Sequence, residues 1–309
     1  MSDFELRPME KADRTEIGEL IYLSTNHWYE THGHARIFTG SPATAEVFCD
    51  VYEALDPGCG VVAVSRYSGR LVGSCFYHPR PTHVSLGIMN VHPNYFGSGI
   101  ARSLLTYIVD LAERQQKPAR LVSSAMNLDS FSLYTRQGFV PQTAFQDMFV
   151  AVPDAGLPFR TALDPRVRAA TMADVAAIDR LENELVGISR EKDYRYFVDN
   201  PNGFWHVSIL PGDQGGLDGF LVSVSHPGGT MLGPGLARTP EQAAALLLAE
   251  MNHRRGRTVV FLIPVQCFPL VQQMYQWGIK NCELHFSQVR GSCQPLRGIQ
   301  MPTFLPETA

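Results

Sequence analysis

The chain is poor in charge, has no long apolar run and spaces its few cysteines widely, and each shortage removes a class of function. Charged residues make up 18% of the 309 positions, and 26 Lys and Arg against 30 Asp and Glu leave a net charge of −4. Without a Lys/Arg cluster, the counterion release that drives nucleic-acid binding has no source, so no nucleic-acid partner is expected. No stretch reaches the ~18 apolar residues of a membrane span, and Met1-Ser-Asp-Phe-Glu-Leu-Arg7 has no apolar signal core. No membrane partner is expected either. The six cysteines (Cys49, Cys59, Cys75, Cys267, Cys282, Cys293) form no Cys-x-x-Cys, and no His stands at zinc-finger spacing from them. They read as separate thiols of a reducing compartment, so the cytoplasm is the expected location and no metal is expected. What is abundant is apolar: 45% hydrophobic residues, with 26 Gly and 21 Pro in no periodic order, exclude a disordered chain, a collagen and a coiled coil. At ~100–200 residues per domain, the length predicts two globular domains.

The chain begins twice. Leu6-Arg7-Pro-Met-Glu-Lys-Ala12-Asp13-Arg-Thr-Glu-Ile17-Gly-Glu-Leu20 lies over Val167-Arg168-Ala-Ala-Thr-Met-Ala173-Asp174-Val-Ala-Ala-Ile178-Asp-Arg-Leu181 at an offset of 161 residues. Arg, Ala-Asp, Ile and Leu coincide. Each copy reads as a short strand, a turn and a helix with apolar residues three or four apart (Ile17, Leu20, Ile21; Ile178, Leu181, Leu185), and such internal repetition marks an architecture built from units. Between the copies, residues 151–165 hold three prolines and a glycine, a linker composition. Domains are therefore expected at 1–152 and 153–309.

Within the first half, residues 60–77 read as two β-branched and aromatic runs around a Ser68-Gly69 turn, a hairpin pattern. A strand at 84–91, a glycine loop, a helix at 100–115, a strand at 121–125, a short helix at 130–136 and a strand at 145–150 complete the order β-α-α-β-β-β-α-β-α-β. The fold class is α/β, with a mixed, largely antiparallel sheet covered by helices.

The glycine loop carries the chemistry. Val91-His-Pro93-Asn-Tyr-Phe96-Gly97-Ser98-Gly99-Ile100-Ala101 sets two glycines between a strand and an amphipathic helix. Glycine lets the backbone approach a ligand, and the first helical N–H groups lack intrahelical acceptors, so an anion such as a pyrophosphate fits this nest. A plain strand-to-helix turn fits the same residues. The third glycine of a dinucleotide fold and the Gly-Lys-Ser/Thr of a nucleotide-triphosphate loop are both absent.

These residues resemble the GNAT superfamily of acyl-CoA-dependent N-acyltransferases, whose pattern is a strand ending in Val-x-Pro, then Arg/Gln-x-x-Gly-x-Gly/Ala and a helix. The second family element, Asn-x-x-Ala/Ser-x-x-Leu-Tyr-x-x-x-Gly-Phe, is matched by Asn127, Ser130, Leu133, Tyr134, Gly138 and Phe139. The resemblance covers residues 4 to about 150. One position departs from it: Phe96 stands in the span where the family places its Arg or Gln, so one polar contact to the pyrophosphate is lost while the backbone donors remain.

The resemblance implies direct attack of an amine on acetyl-CoA or another acyl-CoA, with a small-molecule acceptor. It assigns Val91, Phe96, Gly97, Ser98, Gly99, Ile100, Ala101 and Asn127 to acyl-CoA and Tyr134 to protonation of the departing thiolate, a task for which a phenol of ordinary pKa near ~10 is still protonated at neutral pH. The strand 84–91 carries no Asp or Glu for the general base, and among His78, His83 and His92 the choice falls on His83. Acceptor recognition is expected from the first helical segment and its loop, residues 26–34, Asn-His-Trp-Tyr-Glu-Thr-His-Gly-His, a loop that equally suits a surface lid. The second half reads as a worn copy. Its helix start, Arg238-Thr239-Pro240-Glu241, offers no glycine nest, and aligned on glycine Met274 falls where Tyr134 stands. Two tandem GNAT-like domains forming a pseudo-dimer are expected, the second structural and helping to wall the acceptor pocket, in a monomer or homodimer. A non-catalytic acyl-CoA-binding or metabolite-binding protein is the alternative.

Overall fold

Phe4–Pro8 forms the first strand, β1, of a computed structural model that describes residues 3–213 and 215–308. It leads into α1 (Arg14–Thr31) and α2 (Glu46–Leu55), then into the predicted hairpin of β2 (Gly60–Ser65) and β3 (Leu71–Pro79). β4 (Val84–Val91) and α3 (Ile100–Arg114) follow. The four strands make an antiparallel meander in the order β1-β2-β3-β4, with Phe4 opposite Ser65, Gly60 opposite Phe76 and Gly73 opposite Val91. Ile17, Ile21, Val62, Leu104, Leu105 and Ile108 are fully buried in the core of this unit, which comprises the chain up to Pro79, His83–Ala119 and Phe304–Glu307. Gly73 sets where α3 begins, because a Cβ there would lie 2.5 Å from Ile100 Cγ2 and 3.2 Å from Leu104 Cδ1. The bare backbone lets the first turn of the helix rest on the sheet.

A second compact unit holds Arg80–Thr82 and Arg120–Thr303. Its elements are β5 (Ala119–Ser124), α4 (Leu128–Arg136), β6 (Val140–Ala151), β7 (Arg168–Ala169), α5 (Val175–Val186) and α6 (Glu191–Asp199). Then come β8 (Trp205–Pro211), β9 (Leu217–His226), β10 (Gly229–Ala237), α7 (Pro240–His253), β11 (Thr258–Pro264), α8 (Phe268–Gln276), β12 (Lys280–Arg290) and β13 (Ile299–Met301). The strands β7-β8-β9-β10 repeat the meander of the first unit, and β11 joins β10 in parallel. Gly219 stands where Gly73 stood, with Leu246 of α7 at 2.7 Å from its would-be Cβ.

The last strands of the two repeats have changed places. The order in this unit is β5-β12-β6-β11-β10-β9-β8-β7, so β12 of the second repeat borders β5 of the first, and β6 borders β11. Simple repetition would have set β6 beside β5 and β12 beside β11. The division at 152/153 is one of sequence, whereas this sheet takes strands from both sides of it. β11 and β12 lie outside the elements that the sequence pattern marks.

One expectation is corrected. Residues 26–31 are not loop but the last turns of α1, where the Thr31 hydroxyl donates to the carbonyls of His27 (2.7 Å) and Trp28 (3.0 Å). The aromatic residues there follow helical spacing, and Trp28 stacks on His32 with ring centroids 4.2 Å apart. Among the described residues no helix is long and apolar enough to cross a membrane.

The shared Arg and Ala-Asp of the two chain openings make the same clamp twice. Arg7 donates to both carboxylate oxygens of Asp13 (2.7 and 2.8 Å), and Asp13 also accepts from the Glu10 N–H at 2.8 Å. Arg168 grips Asp174 at 2.8 and 2.9 Å, and Asp174 accepts from the Thr171 N–H at 2.8 Å. Bidentate geometry ties each first strand to the turn before its helix. The arginine hydrogen bonds hold both carboxyls below the ordinary carboxylate range. A depressed carboxylate contributes stability above its unfolded-state pKa near ~3.9, and that contribution is lost as pH falls through the folded value. Acid unfolding should therefore be less steep in an Arg7→Met/Arg168→Met double variant than in the parent. The difference is small because the clamps are partly solvated. Identical acid limbs in a pH series of urea midpoints would show that the clamps do not contribute.

Candidate functional site

The loop between β4 and α3 is built for close approach of a ligand to backbone. Val91, half-buried, ends β4, and Pro93–Tyr95 make one tight helical turn capped by His92, whose Nδ1 accepts from the Asn94 N–H at 3.2 Å. The exposed Ser98 hydroxyl donates to the Tyr95 carbonyl at 2.6 Å. Gly97 and Gly99 both lie in the left-handed region, at φ +79° and +87°, which side-chain-bearing residues rarely adopt. A Cβ at either position would meet nothing within 4 Å, so the space over both glycines is open.

Gly99 caps α3 without a side-chain hydrogen bond, and the Ser103 N–H to Gly99 carbonyl bond, 3.0 Å, begins the helical ladder. The N–H groups of Ile100, Ala101 and Arg102 therefore have no intrahelical acceptor and face outward. No acidic residue stands in this first turn. Ile100 is buried and anchors the turn against Gly73, while Ala101 is half-buried. Phe96 is 52% exposed, with its ring 6.1 Å from that of His27 on α1.

The equivalent helix of the second repeat is closed to an anion. Thr239 Oγ1 accepts from the Gln242 N–H at 3.4 Å, Gln242 Oε1 accepts from the Thr239 N–H at 3.0 Å, and Pro240 has no N–H to offer. This capping box uses up donors that α3 leaves open, and Glu241 adds a negative charge to the same turn.

In the second unit, Asn127 caps α4 by accepting from the Ser130 N–H at 3.0 Å, and Tyr134 sits one turn from the end of that helix. Its ring is 8% exposed and meets Phe139 edge-on at 6.1 Å. The Tyr134 carbonyl accepts from Gln137 and Phe139 at 3.0 and 3.1 Å, and the Met274 carbonyl accepts from Trp277 and Ile279 at 3.1 Å each. The same closing pattern puts Met274 at the place of Tyr134, and Cys267, the N-cap of α8, at the place of Asn127. Met274 is fully buried. Tyr275, one residue on, is exposed, and its hydroxyl donates to Gln146 Oε1 at 2.9 Å.

The three histidines around β4 are engaged with the protein. His83 is 1% exposed, with Nε2 3.1 Å from Ser85 Oγ, and His78 is fully buried with Nδ1 2.6 Å from Asp56 Oδ2. One group escaped the sequence reading. Asp147 on β6 and Glu283 and His285 on β12 gather their side chains in the second unit, with His285 Nδ1 2.8 Å from Asp147 Oδ1. No spacing motif joins residues so far apart in sequence. The only local signal was a polar-apolar-polar run, Glu283-Leu284-His285, on a strand.

An Acetyltransferase (GNAT) family model matches residues 24–139, and an Acetyltransferase (GNAT) domain model matches residues 178–289. A candidate acetyltransferase from Pyrococcus horikoshii superposes with a TM-score of 0.72 at 14% identity, over 94% of this chain and 90% of that one. A GCN5-related N-acetyltransferase from Sphaerobacter thermophilus gives 0.64 at 17% identity, over 96% and 98%. A tandem GNAT protein from the clavulanic acid biosynthesis pathway gives 0.61 at 16%, over 93% and 98%. These likenesses show the fold. Among curated proteins, UPF0157 protein YqkA of Bacillus subtilis is 31% identical over 102 residues, 33% of this chain and 28% of that protein, so the match spans under a third of that relative's length.

Proposed function

From two GNAT acetyltransferase domains in tandem, we propose an N-acetyltransferase that moves the acetyl group of acetyl-CoA to an amine of a small molecule, with the acyl-CoA held by the first repeat alone. The observation that carries this reading is the contrast between α3, whose first turn is open and flanked by left-handed glycines, and α7, whose first turn is capped and acidic. In this reading the N–H groups of Gly97, Gly99, Ile100 and Ala101 take the pyrophosphate, with Val91, Phe96 and Ser98 beside them, and Asn127 contacts the CoA arm through its side-chain amide. Tyr134 protonates the CoA thiolate, and His83 is the first repeat's own proton acceptor. We also keep 1–152 and 153–309 as the two domains, the second without a cofactor site of its own. A non-catalytic acyl-CoA-binding protein is the second reading, favoured by the place three before Gly97, where the family pattern has Arg or Gln and this chain has the shorter Asn94.

Calorimetry with acetyl-CoA tests the first step. One site per chain is expected, and two equivalent sites would overturn the asymmetry. Gly99→Val puts a branched side chain into the open space and strains the backbone, removing one or two hydrogen bonds to a charged group at about 1.5–3 kcal/mol each, so affinity should fall by at least about tenfold. Unchanged affinity in a folded Gly97→Val/Gly99→Val protein would remove the loop from the site. Thiol release across amines, amino acids, aminoglycosides and peptides then separates the enzyme from the binding protein.

A further inference from the structure

The fold builds one cleft twice, and we infer that the copy in the second repeat is a binding site for a free α-amino acid. The site belongs to the second unit alone and does not rest on the acetyltransferase reading.

In each repeat the cleft lies between the first long helix, the turn joining the second and third meander strands, and the end of the fourth. α1 lines the first copy with Glu16, Glu19, Leu20 and Leu23, and α5 lines the second with Ala177, Arg180, Leu181 and Glu184. These are the same four positions at the offset of 161 residues that relates the two chain openings. The repeated meander therefore places the cleft, and the side chains decide what it takes. The first copy, of about 350 Å³, has Glu19 where the second has Arg180, so it repels the acids that the second can attract. The second copy is larger, at about 540 Å³, a volume usual for small-molecule sites.

Two charges lining the second cleft lack what they need. Arg180 is exposed and makes no ion pair or side-chain hydrogen bond among the described residues. The Asp218 side chain, at the start of β9, is only 22% exposed, yet its carboxylate accepts no hydrogen bond among the described residues. Its nearest cations, Arg166 Nη2 and Arg238 Nε, stand 3.9 Å away. A carboxylate so covered ordinarily has hydrogen-bond donors. The other charges are already matched. Glu184 grips Arg238 through both oxygens at 2.7 and 2.8 Å, and Asp213 pairs with Arg166 at 2.7 Å. The Arg238 N–H donates to the Asp218 carbonyl at 3.0 Å, which ties the start of β9 to the lead into α7 as one wall. Arg180 and Asp218 are left as one open cation and one open anion. An α-amino acid complements both, because its carboxylate fits a guanidinium fork and its ammonium brings three donors to a carboxylate. A simple anion would face Asp218, and a simple amine would face Arg180, so neither fits as well. Leu181 and Leu217 give the cleft an apolar lining for an aliphatic side chain.

The test is calorimetry on the full chain with L-leucine, and with glycine, L-glutamate and L-lysine beside it. One site per chain with a Kd below about 1 mM is expected for leucine. Leucine stripped of its ammonium, 4-methylpentanoate, and leucine stripped of its carboxylate, 3-methylbutylamine, should each bind at least about tenfold more weakly. Arg180→Gln and Asp218→Asn should each weaken leucine by at least about tenfold. Arg180 is exposed, so its variant keeps the fold, which circular dichroism checks, and it carries the test if the aspartate variant fails to fold. Binding of one of the other three amino acids in place of leucine, lost in Arg180→Gln, supports the site and changes only the side chain it prefers. No heat from any of the four overturns the inference. Equal affinity for 4-methylpentanoate and leucine would make the cleft an anion site only and also overturns it. Leucine binding that is unchanged in a folded Arg180→Gln protein would put the amino acid elsewhere, as an acceptor in the acetyltransferase reading, and ends this assignment while leaving that reading standing.

Discussion

Replacing Tyr134 by Phe is expected to lower kcat by about 10²–10⁴, the range for a lost general acid, while acetyl-CoA affinity stays the same. The substitution keeps the ring that packs edge-on against Phe139 and removes only the hydroxyl, so the loss of stability should not exceed the ~0.5–1.5 kcal/mol of one hydrogen bond. The second repeat supports the choice of residue. Its closing turn has the same hydrogen bonds, yet carries Met274 where Tyr134 stands, and a thioether has no proton to give. A lost proton donor would show as reduced turnover at saturating acetyl-CoA and saturating amine, not as a raised KM. The loss should shrink with acyl thioesters of more acidic thiols, whose thiolates leave without help. Full turnover in Tyr134→Phe under saturation would mean that water protonates the thiolate and would end the catalytic assignment.

Arg80→Met should destabilise the protein by about 3–5 kcal/mol, because it leaves a carboxylate buried without its cation. Arg80 Nε donates to Asp193 Oδ2 at 2.9 Å, and neither side chain has any exposed surface. Asp193 Oδ1 has no hydrogen-bond partner among the described residues, and Arg80 holds the other carboxylate oxygen, with the Arg190 charge nearby. The Thr82 hydroxyl, two residues on, accepts from the Ser189 N–H at 3.1 Å. Residues 80–82 thus come from the turn after β3 of the first repeat and are fastened to the second-repeat segment around α6. Since a buried pair gains little over an apolar pair of similar volume, Arg80→Met/Asp193→Leu should be less destabilised than Arg80→Met alone. Urea unfolding of the two variants reads this directly. Equal midpoints for Arg80→Met and the parent would show that the pair contributes nothing.

Much of this protein was legible in its residue order because the features concerned are local. The strand-helix openings at Arg7 and Arg168 announce themselves as a repeat, and the bidentate clamps explain why Arg and Asp recur in both. The glycine loop, the helix after it and the Asn127 to Phe139 segment each depend on spacing within one element and its cap, which a sequence displays. Even the loss of the second nest was visible in Thr239-Pro240-Glu241, since a capping box forms between residues three apart. The end of α1 was misjudged at residues 26–31, where aromatic side chains stack on one another along a helix and give no apolar stripe to read.

Tertiary structure alone decided the rest. Backbone hydrogen bonds between strands carry no residue code, so nothing in β6 or β12 says which strand will lie beside it, and the exchange that sets β12 between β5 and β6 could not be read. Asp147, Glu283 and His285 meet only through that exchange, and Arg80 meets Asp193 only because the chain folds a turn of one repeat onto a helix of the other. The order of residues by itself determined most elements of the first repeat, the repeat and the open helix terminus at Gly99, because these need only neighbours along the chain. The fold decided which buried charges face each other, because that is set by pairing over more than a hundred residues, where sequence pattern has no reach.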